Sequence, residues 1–259
     1  MRSSLIPLAV VISTLFLGLM PPALEAEEAA DMRPALIGSG PNSFINRVNT
    51  NALIKKGQGN AAILFYCTVR SDGSPGIFQA YGGTPDSEKL RQELRNCFRV
   101  SKFIPAIYRH QRLPALMFGT ATFMNVNGKP RLRIFANQET DDLKKESDFI
   151  SPQPIFPRGH TSHSVPDPST WWSSDVPGLV ELSLAIDATG KLNDIHIVKE
   201  APTGKRYGET ALNRVKQLAF MPAFRNGKPV DSTTHYTFYF VVDGNMKLSV
   251  VALPTTPAG

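Results

Sequence analysis

The feature that most constrains the fold of this chain is an internal repeat with an offset of 117 residues. Phe103 and Phe220 each begin the element Phe-x-Pro-Ala, and they stand 117 positions apart. The same offset superposes turn glycines, apolar alternations and aromatic positions: Gly73 on Gly190, Ile63, Phe65, Cys67 and Val69 on Val180, Leu182, Leu184 and Ile186, Leu113 on Val230, and Phe123 on Phe240. A register of about sixty residues without a gap predicts two copies of one structural unit.

The second copy shows the secondary structure of the unit most clearly. VELSLAID (180–187) alternates apolar and polar residues, ATGK is a turn signal, and LNDIHIVK completes a hairpin with one buried face. A helix with Tyr207, Ala211, Val215 and Leu218 inward follows, and Pro222 ends it because proline has no amide donor. After an Asn-Gly turn, a long alternating strand leads through Asp-Gly into KLSVVAL. The unit therefore reads β-β-α-β-β.

The predicted fold class is α+β, with two repeated β-β-α-β-β units. Because the strands connect through hairpins, each sheet should be antiparallel, with one helix covering its apolar face. We expect the first unit over residues 41–138, opened by an extra helix (SFINRVNTNALIKK) with Ser43 as a cap. The second unit spans 177–253, and a Pro/Ser-rich linker occupies 139–176.

The first 26 residues are typical of a secretory signal. Arg2 supplies a positive charge, Leu8 to Met20 is an apolar run, and two prolines follow it. This run is shorter than the roughly 20 residues of a membrane span, so we expect cleavage after Ala26. The alternative is an uncleaved anchor formed by residues 5–24. The remaining chain, in a protein of 42% hydrophobic and 19% charged residues, is long enough for two folded domains.

The net charge of +6 is concentrated in the first half of the chain. Residues 55–138 carry 13 Lys/Arg against four acidic residues, whereas 139–176 carry 3 against 7. The helix that follows the first hairpin carries a row of cations on the side opposite its inward-facing residues. The row consists of Arg91, Arg95 and Arg99, with Lys102 near the end of the helix. In an exported protein this row indicates contact with an anionic membrane surface or an acidic partner, and not with nucleic acid. The alternative is a solvated basic face.

The two cysteines are predicted to form a disulfide. Export makes an oxidising compartment the expected one. Period 2 places Cys67 on the inward face of a strand, and period 3.6 places Cys97 on the inward face of the helix. We therefore expect a Cys67–Cys97 bond.

Three strings of the second unit carry a family resemblance: GLVELSLAIDATGKLNDIHIVKEAP, TALNRVKQLAFMPAFRNGKPV and TTHYTFYF. In this order of strand, turn glycine, Ala-Leu helix, Phe-x-Pro-Ala, Asn-Gly-x-Pro-Val and aromatic strand, residues 178–240 resemble the C-terminal domain of TonB-type energy transducers. Residues 61–123 resemble that family mainly through their match to the second unit. There His110-Gln-Arg-Leu-Pro replaces Asn-Gly-x-Pro-Val, so the first unit is a diverged copy.

The resemblance implies a non-catalytic protein that contacts outer-membrane transporters across the periplasm and takes up a short partner segment as an added strand. A periplasmic adaptor is therefore the expected function, with a TonB-dependent transporter segment as an expected partner. The alternative is an energy transducer anchored in the inner membrane. Against it, LAVVISTLFLGLM (8–20) lacks the family's polar motif for motor partners, and the family's long periplasmic spacer is missing.

The expected docking strand of the second unit runs from Thr233 to Val241. Alternation would put Thr234, Tyr236, Phe238 and Phe240 in the core. The outward positions are then the expected partner-binding residues: Thr233, His235, Thr237, Tyr239 and Val241. If KLSVVAL covers this edge, the outer edge of that strand or the other side of the sheet becomes the docking site.

No local motif predicts a cofactor, a metal centre or a catalytic site. His160, His163 and Asp167 lie in the Pro/Ser-rich segment, where we expect them to be solvated. Trp171 and Trp172 should pack where the linker meets the second unit; the alternative is that they stack on a sugar or a partner. A hydrolase, the third interpretation, would need converging ionisable groups that the sequence does not mark out.

Overall fold

The computed structural model describes residues 31–137, 148–156, 176–242 and 248–255. The first strand and the first two helices are short. They are β1 (Met32–Arg33), α1 (Phe44–Arg47) and α2 (Thr50–Lys55). The sequence predicted one helix here with Ser43 as its cap, but the Ser43 side chain makes no capping bond. Asn49 interrupts the helix, and its side chain accepts a hydrogen bond from the Ala52 amide at 2.9 Å, which caps α2.

The period-2 pattern of the first half folds into an antiparallel sheet. β2 (Ala61–Val69) and β3 (Pro75–Gly83) form a hairpin. α3 (Glu88–Val100) follows and contacts both strands, burying Leu90, Leu94, Cys97 and Phe98. The chain then forms two short strands, β4 (Ala106–Tyr108) and β5 (Gln111–Leu113), that pair with each other, and β1 pairs with β4. β6 (Ala115–Val126) pairs with β2, and β7 (Lys129–Ala136) returns along β6.

Part of the predicted linker is folded into this sheet. β8 (Gln153–Ile155) contacts β6 through Ile155 and Ala115. The buried Gln153 side chain accepts a hydrogen bond from the Ala35 amide at 2.9 Å and donates one to the Ala35 carbonyl at 3.1 Å. The expectation of an irregular segment over 139–176 is therefore wrong for residues 148–156. Two prolines, Pro152 and Pro154, obscure the strand in the sequence because neither can donate to a ladder.

The second half repeats the hairpin, helix and long-strand order. β9 (Gly178–Ile186) and β10 (Leu192–Ala201) form the hairpin, and α4 (Tyr207–Val215) contacts both strands. β11 (Ala219–Met221) pairs with β8, and β12 (Ala223–Arg225) pairs with β13 (Lys228–Val230). β14 (Ser232–Val242) and β15 (Leu248–Thr255) complete an antiparallel sheet in the order β10-β9-β14-β15. The fold is therefore α+β, built mostly from antiparallel sheets.

Corresponding strands of the two halves begin 117 positions apart. β2 and β9 each have nine residues and begin at 61 and 178, β4 and β12 begin at 106 and 223, and β6 and β14 begin at 115 and 232. The offset extends to the isolated pairing of Leu36 with Ile104, whose counterpart is the pairing of Gln153 with Met221. The segments that precede each hairpin thus lie in corresponding places.

Two groups of buried side chains hold the sheets. The larger lies between the first sheet, α1 and α3, and it includes Met221 and Phe224 from the second half. The smaller lies between α4 and the β9–β14 pair, where Tyr207 stacks on Phe240 with a centroid separation of 4.4 Å. A Cβ at Gly178 would overlap the Tyr207 ring, so only glycine allows this stack. Within the described ranges, no helix is both long and apolar enough to span a membrane.

Candidate functional site

The strand that the sequence predicted for docking, β14, lies in the middle of its sheet. Its residues pair with β9 from Ser232 to Phe240, and with β15 from His235 to Val242. The backbone of the predicted partner-binding set is therefore already used within the chain from His235 onward. The condition attached to that prediction, a free edge at β14, is not met, because the closing strand covers it.

The outward side chains of β14 differ from the simple alternation at one position. Thr234, Tyr236, Phe238 and Phe240 are buried as predicted. Thr233 and Tyr239 are exposed and His235 is half-buried, but Thr237 is only 4% exposed although it falls on the predicted outward face. Part of the outer face is therefore covered by other parts of the fold. The Tyr239 side chain lies close enough to Tyr81 of β3 to help raise the pKa of Tyr81 to about 12, after the larger effect of burial.

Among the strands that the structure describes, β10 and β15 are the two outer strands of the second sheet. β10 carries the usual protections of an edge strand: two register shifts interrupt its pairing with β9, and it includes Asp194, His196, Lys199 and Glu200. Two of these, His196 and Asp194, form an exposed pair with 3.5 Å between Nδ1 and Oδ2. β15 reads LSVVALPT and has no charged residue, and Pro254 lies near its end. Of the two edges, β15 is the one whose sequence does not protect it.

The turn glycine and the Phe-x-Pro-Ala element fit against each other. In the β9–β10 turn, the Asp187 amide donates to the Lys191 carbonyl at 3.0 Å, and the Gly190 amide donates to the Asp187 carbonyl at 2.9 Å. Gly190 has a φ of +85°, and a Cβ there would overlap the carbonyl oxygen of Phe220 and lie 3.5 Å from Cδ of Pro222. This contact fixes the end of β11 and Pro222 on the hairpin turn.

The Asp187 carboxylate organises the same turn. Its Oδ1 accepts hydrogen bonds from the Thr189 hydroxyl at 2.6 Å, the Thr189 amide at 2.9 Å and the Lys191 amide at 3.1 Å. These bonds, the Thr189 hydroxyl first, hold the pKa of Asp187 below its ordinary value because they favour the charged form. Its role is therefore to stabilise the turn.

The same interlock occurs in the first half. Arg70 N donates to Ser74 O at 3.0 Å, and Gly73 N donates to Arg70 O at 2.9 Å. A Cβ at Gly73 would overlap the carbonyl oxygen of Phe103 and lie 3.6 Å from Cδ of Pro105. Phe-x-Pro-Ala thus has the same structural role in both halves: its backbone packs directly against the glycine of a hairpin turn.

The predicted cation row on α3 is only partly exposed. Arg91 is half-buried; its Nη1 donates to the Ala80 carbonyl at 3.0 Å, and its Nε lies 3.4 Å from the Glu88 carboxylate. Arg95 is also half-buried and donates to the Gln92 side chain at 3.4 Å. Arg99 and Lys102 are exposed. Two of the four predicted cations, Arg91 and Arg95, therefore make interactions within the protein, and only Arg99 and Lys102 are exposed.

The two cysteines are free thiols, so the predicted Cys67–Cys97 disulfide is not formed in the structure. The inward placement of both residues is as expected, but the Cys97 thiol lies 3.1 Å from the Arg47 carbonyl oxygen and 3.5 Å from Oε1 of Glu93. Burial, followed by the Glu93 carboxylate, raises the pKa of Cys97 to about 11, and burial also raises the pKa of Cys67. Sharing a core does not bring two sulfurs into bonding geometry.

Several residues that the sequence analysis considered lie outside the described ranges. These are His160, His163, Asp167, Trp171 and Trp172, together with the predicted signal at 1–26. Among the residues that are described, no group of three His, Cys, Asp or Glu side chains is placed to hold a metal ion.

Residues 173–242 match the family model of the Gram-negative bacterial TonB protein C-terminal. The match includes the β9–β10 hairpin, α4, the Phe-x-Pro-Ala element and β14, and it leaves out β8 and β15. No curated protein and no solved structure matches the chain. Domains of this family are protein-interaction modules of the bacterial envelope and not enzymes. The resemblance predicted for the second unit is confirmed, and residues 173–242 belong to the TonB C-terminal domain family.

Proposed function

We propose that this protein is a non-catalytic periplasmic adaptor that binds envelope proteins by strand addition at the outer edge of β15. The observation that carries the proposal is the combination of a TonB C-terminal domain with an edge strand of eight residues that has no charged residue. An edge strand offers unpaired amides and carbonyls to an extended peptide, and natural proteins usually protect such edges with charge or bulges. The unprotected edge is therefore the docking edge.

The partner that this family favours is a periplasm-facing segment of a TonB-dependent outer-membrane transporter. Such a segment can bind as an extended strand because main-chain hydrogen bonds supply affinity at any sequence, while alternate side chains supply specificity. A protein released from the inner membrane further requires that the predicted signal be removed after Ala26. N-terminal sequencing of the protein recovered from the envelope tests this step, and an intact Met1 would favour the anchored alternative.

We further propose that the first half is a diverged TonB C-terminal-like unit. The equal offsets of β2 and β9, β4 and β12, and β6 and β14 support the proposal. So do the matching turn bonds and the contact of Gly73 with Phe103, which parallels that of Gly190 with Phe220. Contacts that recur at one offset are a stronger argument than sequence similarity alone, because they require the same backbone path.

Amide shift mapping tests the docking edge. The isotope-labelled protein is titrated with synthetic peptides that tile the periplasm-facing segments of a TonB-dependent transporter. We expect the largest shifts along β15, with β10 unchanged. Shifts confined to β10, or to the first half, would overturn the assignment of the edge.

A pair of proline variants gives the matched control. Successive amides of a strand point to opposite edges, so of Val250 and Val251 one donates towards β14 and the other outward. We expect one of the variants Val250→Pro and Val251→Pro to lower the melting temperature, and the other to keep it while losing peptide binding. Undiminished binding by the variant of unchanged stability would rule out strand addition at this edge.

A further inference from the structure

β7 presents a row of cations on the outward face of the first sheet. Lys129, Arg131 and Arg133 alternate with Pro130 and Leu132, and the three cations are exposed. The alternate residues Leu132, Ile134 and Ala136 pack against the larger core, which fixes the direction of the cations. A two-residue step in a strand spans about 6.6 Å. The three charges therefore form an ordered line on a rigid strand.

The sheet around this row has no opposing charge. β2, β3 and β6 contain no charged residue, so the cations of β7 are the only charges on the strands of this sheet from β3 to β7. Cross-strand pairing sets Thr122 opposite Arg133 and Met124 opposite Arg131. The charges that these strands carry are therefore all positive, in contrast to α3, whose cations are interspersed with Glu88 and Glu93.

Exposed apolar side chains accompany the cations. Met124 is 45% exposed on β6, next to Arg131, and Leu64 is 40% exposed on β2. α2 contacts β7 from the core side, where Leu53 and Ile54 pack with Leu132 and Ile134, and its end carries the exposed Lys55 and Lys56. Lys56 lies 4.0 Å from the Glu93 carboxylate, so it is the only one of these cations with a described acidic neighbour.

We propose that this surface, made of Lys129, Arg131, Arg133 and Met124, docks the protein on a bilayer of anionic phospholipid. Cations placed next to exposed apolar groups suit a headgroup region, where phosphates bind the charges and the apolar groups enter the acyl boundary. This function is additional to strand addition, and it uses the opposite half of the chain.

Vesicle co-sedimentation tests the proposal with the full-length protein. Vesicles of phosphatidylcholine alone are compared with vesicles that also contain phosphatidylglycerol. We expect binding only to the anionic vesicles, and a loss of affinity of at least about tenfold for the double variant Arg131→Gln/Arg133→Gln. Binding should also weaken as salt is raised.

Two control variants make the result specific. Arg131→Lys/Arg133→Lys keeps the charge and should retain binding, and Arg95→Gln/Arg99→Gln on α3 removes equal charge elsewhere and should bind nearly as well as the wild type. Equal losses from the β7 and α3 variants would reduce the effect to net charge and overturn the site. Absence of binding to anionic vesicles, with binding to soluble polyglutamate, would assign the face to an acidic protein and also overturn the proposal.

Discussion

Replacing Gly190 with alanine should destabilise the protein more than the same change at another glycine of positive φ. Gly190 has a φ of +85°, which disfavours any residue with a Cβ. The new methyl group would also overlap the Phe220 carbonyl oxygen and lie 3.2 Å from the carbonyl carbon. Since the obstructing atoms belong to the backbone, no side-chain rotation can relieve the overlap.

The magnitude follows from two separable contributions. A left-handed conformation costs about 1–2 kcal/mol for a residue with a Cβ, and the reduced entropy of the unfolded chain returns about 0.4–1 kcal/mol. Forcing a methyl group into an occupied site costs a further 1–3 kcal/mol or so. We expect Gly190→Ala to lower the free energy of unfolding by about 2–4 kcal/mol, which corresponds to a decrease in melting temperature of roughly 5–10 °C for a chain of this size.

Thermal and urea unfolding followed by circular dichroism measure the effect, and Gly204 supplies the control. Gly204 has a φ of +76° and no atom within 4 Å of an added Cβ, so Gly204→Ala carries the backbone cost without the overlap. Gly73→Ala, which meets Phe103 in the first half, should resemble Gly190→Ala. Equal destabilisation by Gly190→Ala and Gly204→Ala would refute the interlock with Phe-x-Pro-Ala.

Three further outcomes are expected. Gln153→Leu leaves the buried amide of Ala35 without its 2.9 Å acceptor, so the free energy of unfolding should fall by about 1–3 kcal/mol in urea titration. Folding lowers the pKa of Asp187, so the stabilisation from its carboxylate is fully present above the pKa of the unfolded chain and is lost as pH falls through the pKa of the folded protein. The difference in free energy of unfolding between wild type and Asp187→Asn should therefore become smaller below about pH 4. Because burial raises the pKa of Cys97 to about 11, folded protein should react slowly with a thiol reagent at neutral pH. Denatured protein that has not been reduced should react with two equivalents of the reagent, one at Cys97 and one at Cys67.

Each of these has an outcome that contradicts it. Gln79→Leu, at an exposed position of β3, is the control for Gln153→Leu, and equal effects of the two would deny the buried hydrogen bonds. If the free energy of unfolding of Asp187→Asn varies with pH in parallel with that of wild type, the Asp187 carboxylate does not stabilise the turn. Fewer than two reactive thiols in denatured, unreduced protein would restore the disulfide prediction.

Period-2 and period-3.6 patterns predicted the local structure of the second half well. The prediction that Pro222 ends the helix is wrong, since α4 ends at Val215 and β11 (Ala219–Met221) lies between it and the proline. Val180, Leu182, Leu184 and Ile186 are buried on β9, and α4 lies where the period-3.6 pattern predicted a helix. These features depend on contacts within a hairpin or across one helix turn, so a single sequence contains the signal for them. The confirmed family resemblance rests on the same stretch.

The parts of the fold that the sequence did not predict depend on partners distant in the chain. Whether β14 or β15 is the edge depends on a pairing between two strands, and alternation is the same in either case. Gln153 lies 118 positions from Ala35, its hydrogen-bonding partner, and the prolines beside it conceal the strand. One available signal was the offset itself, since 117 positions separate Gln153 from Leu36, which also pairs with a Phe-x-Pro-Ala element.

Because β8 lies outside residues 173–242, the segment that matches the family model is shorter than the segment that folds as the second half. β8 pairs with β11 of the second half, and Ile155 pairs with β6 of the first. A fragment cut at the limits of the family match would lose β8, which would expose the buried Phe220 and Met221. Opening of the second half would in turn remove Met221 and Phe224 from the larger core. The two halves should therefore unfold in one cooperative transition, although their sequences repeat like independent modules.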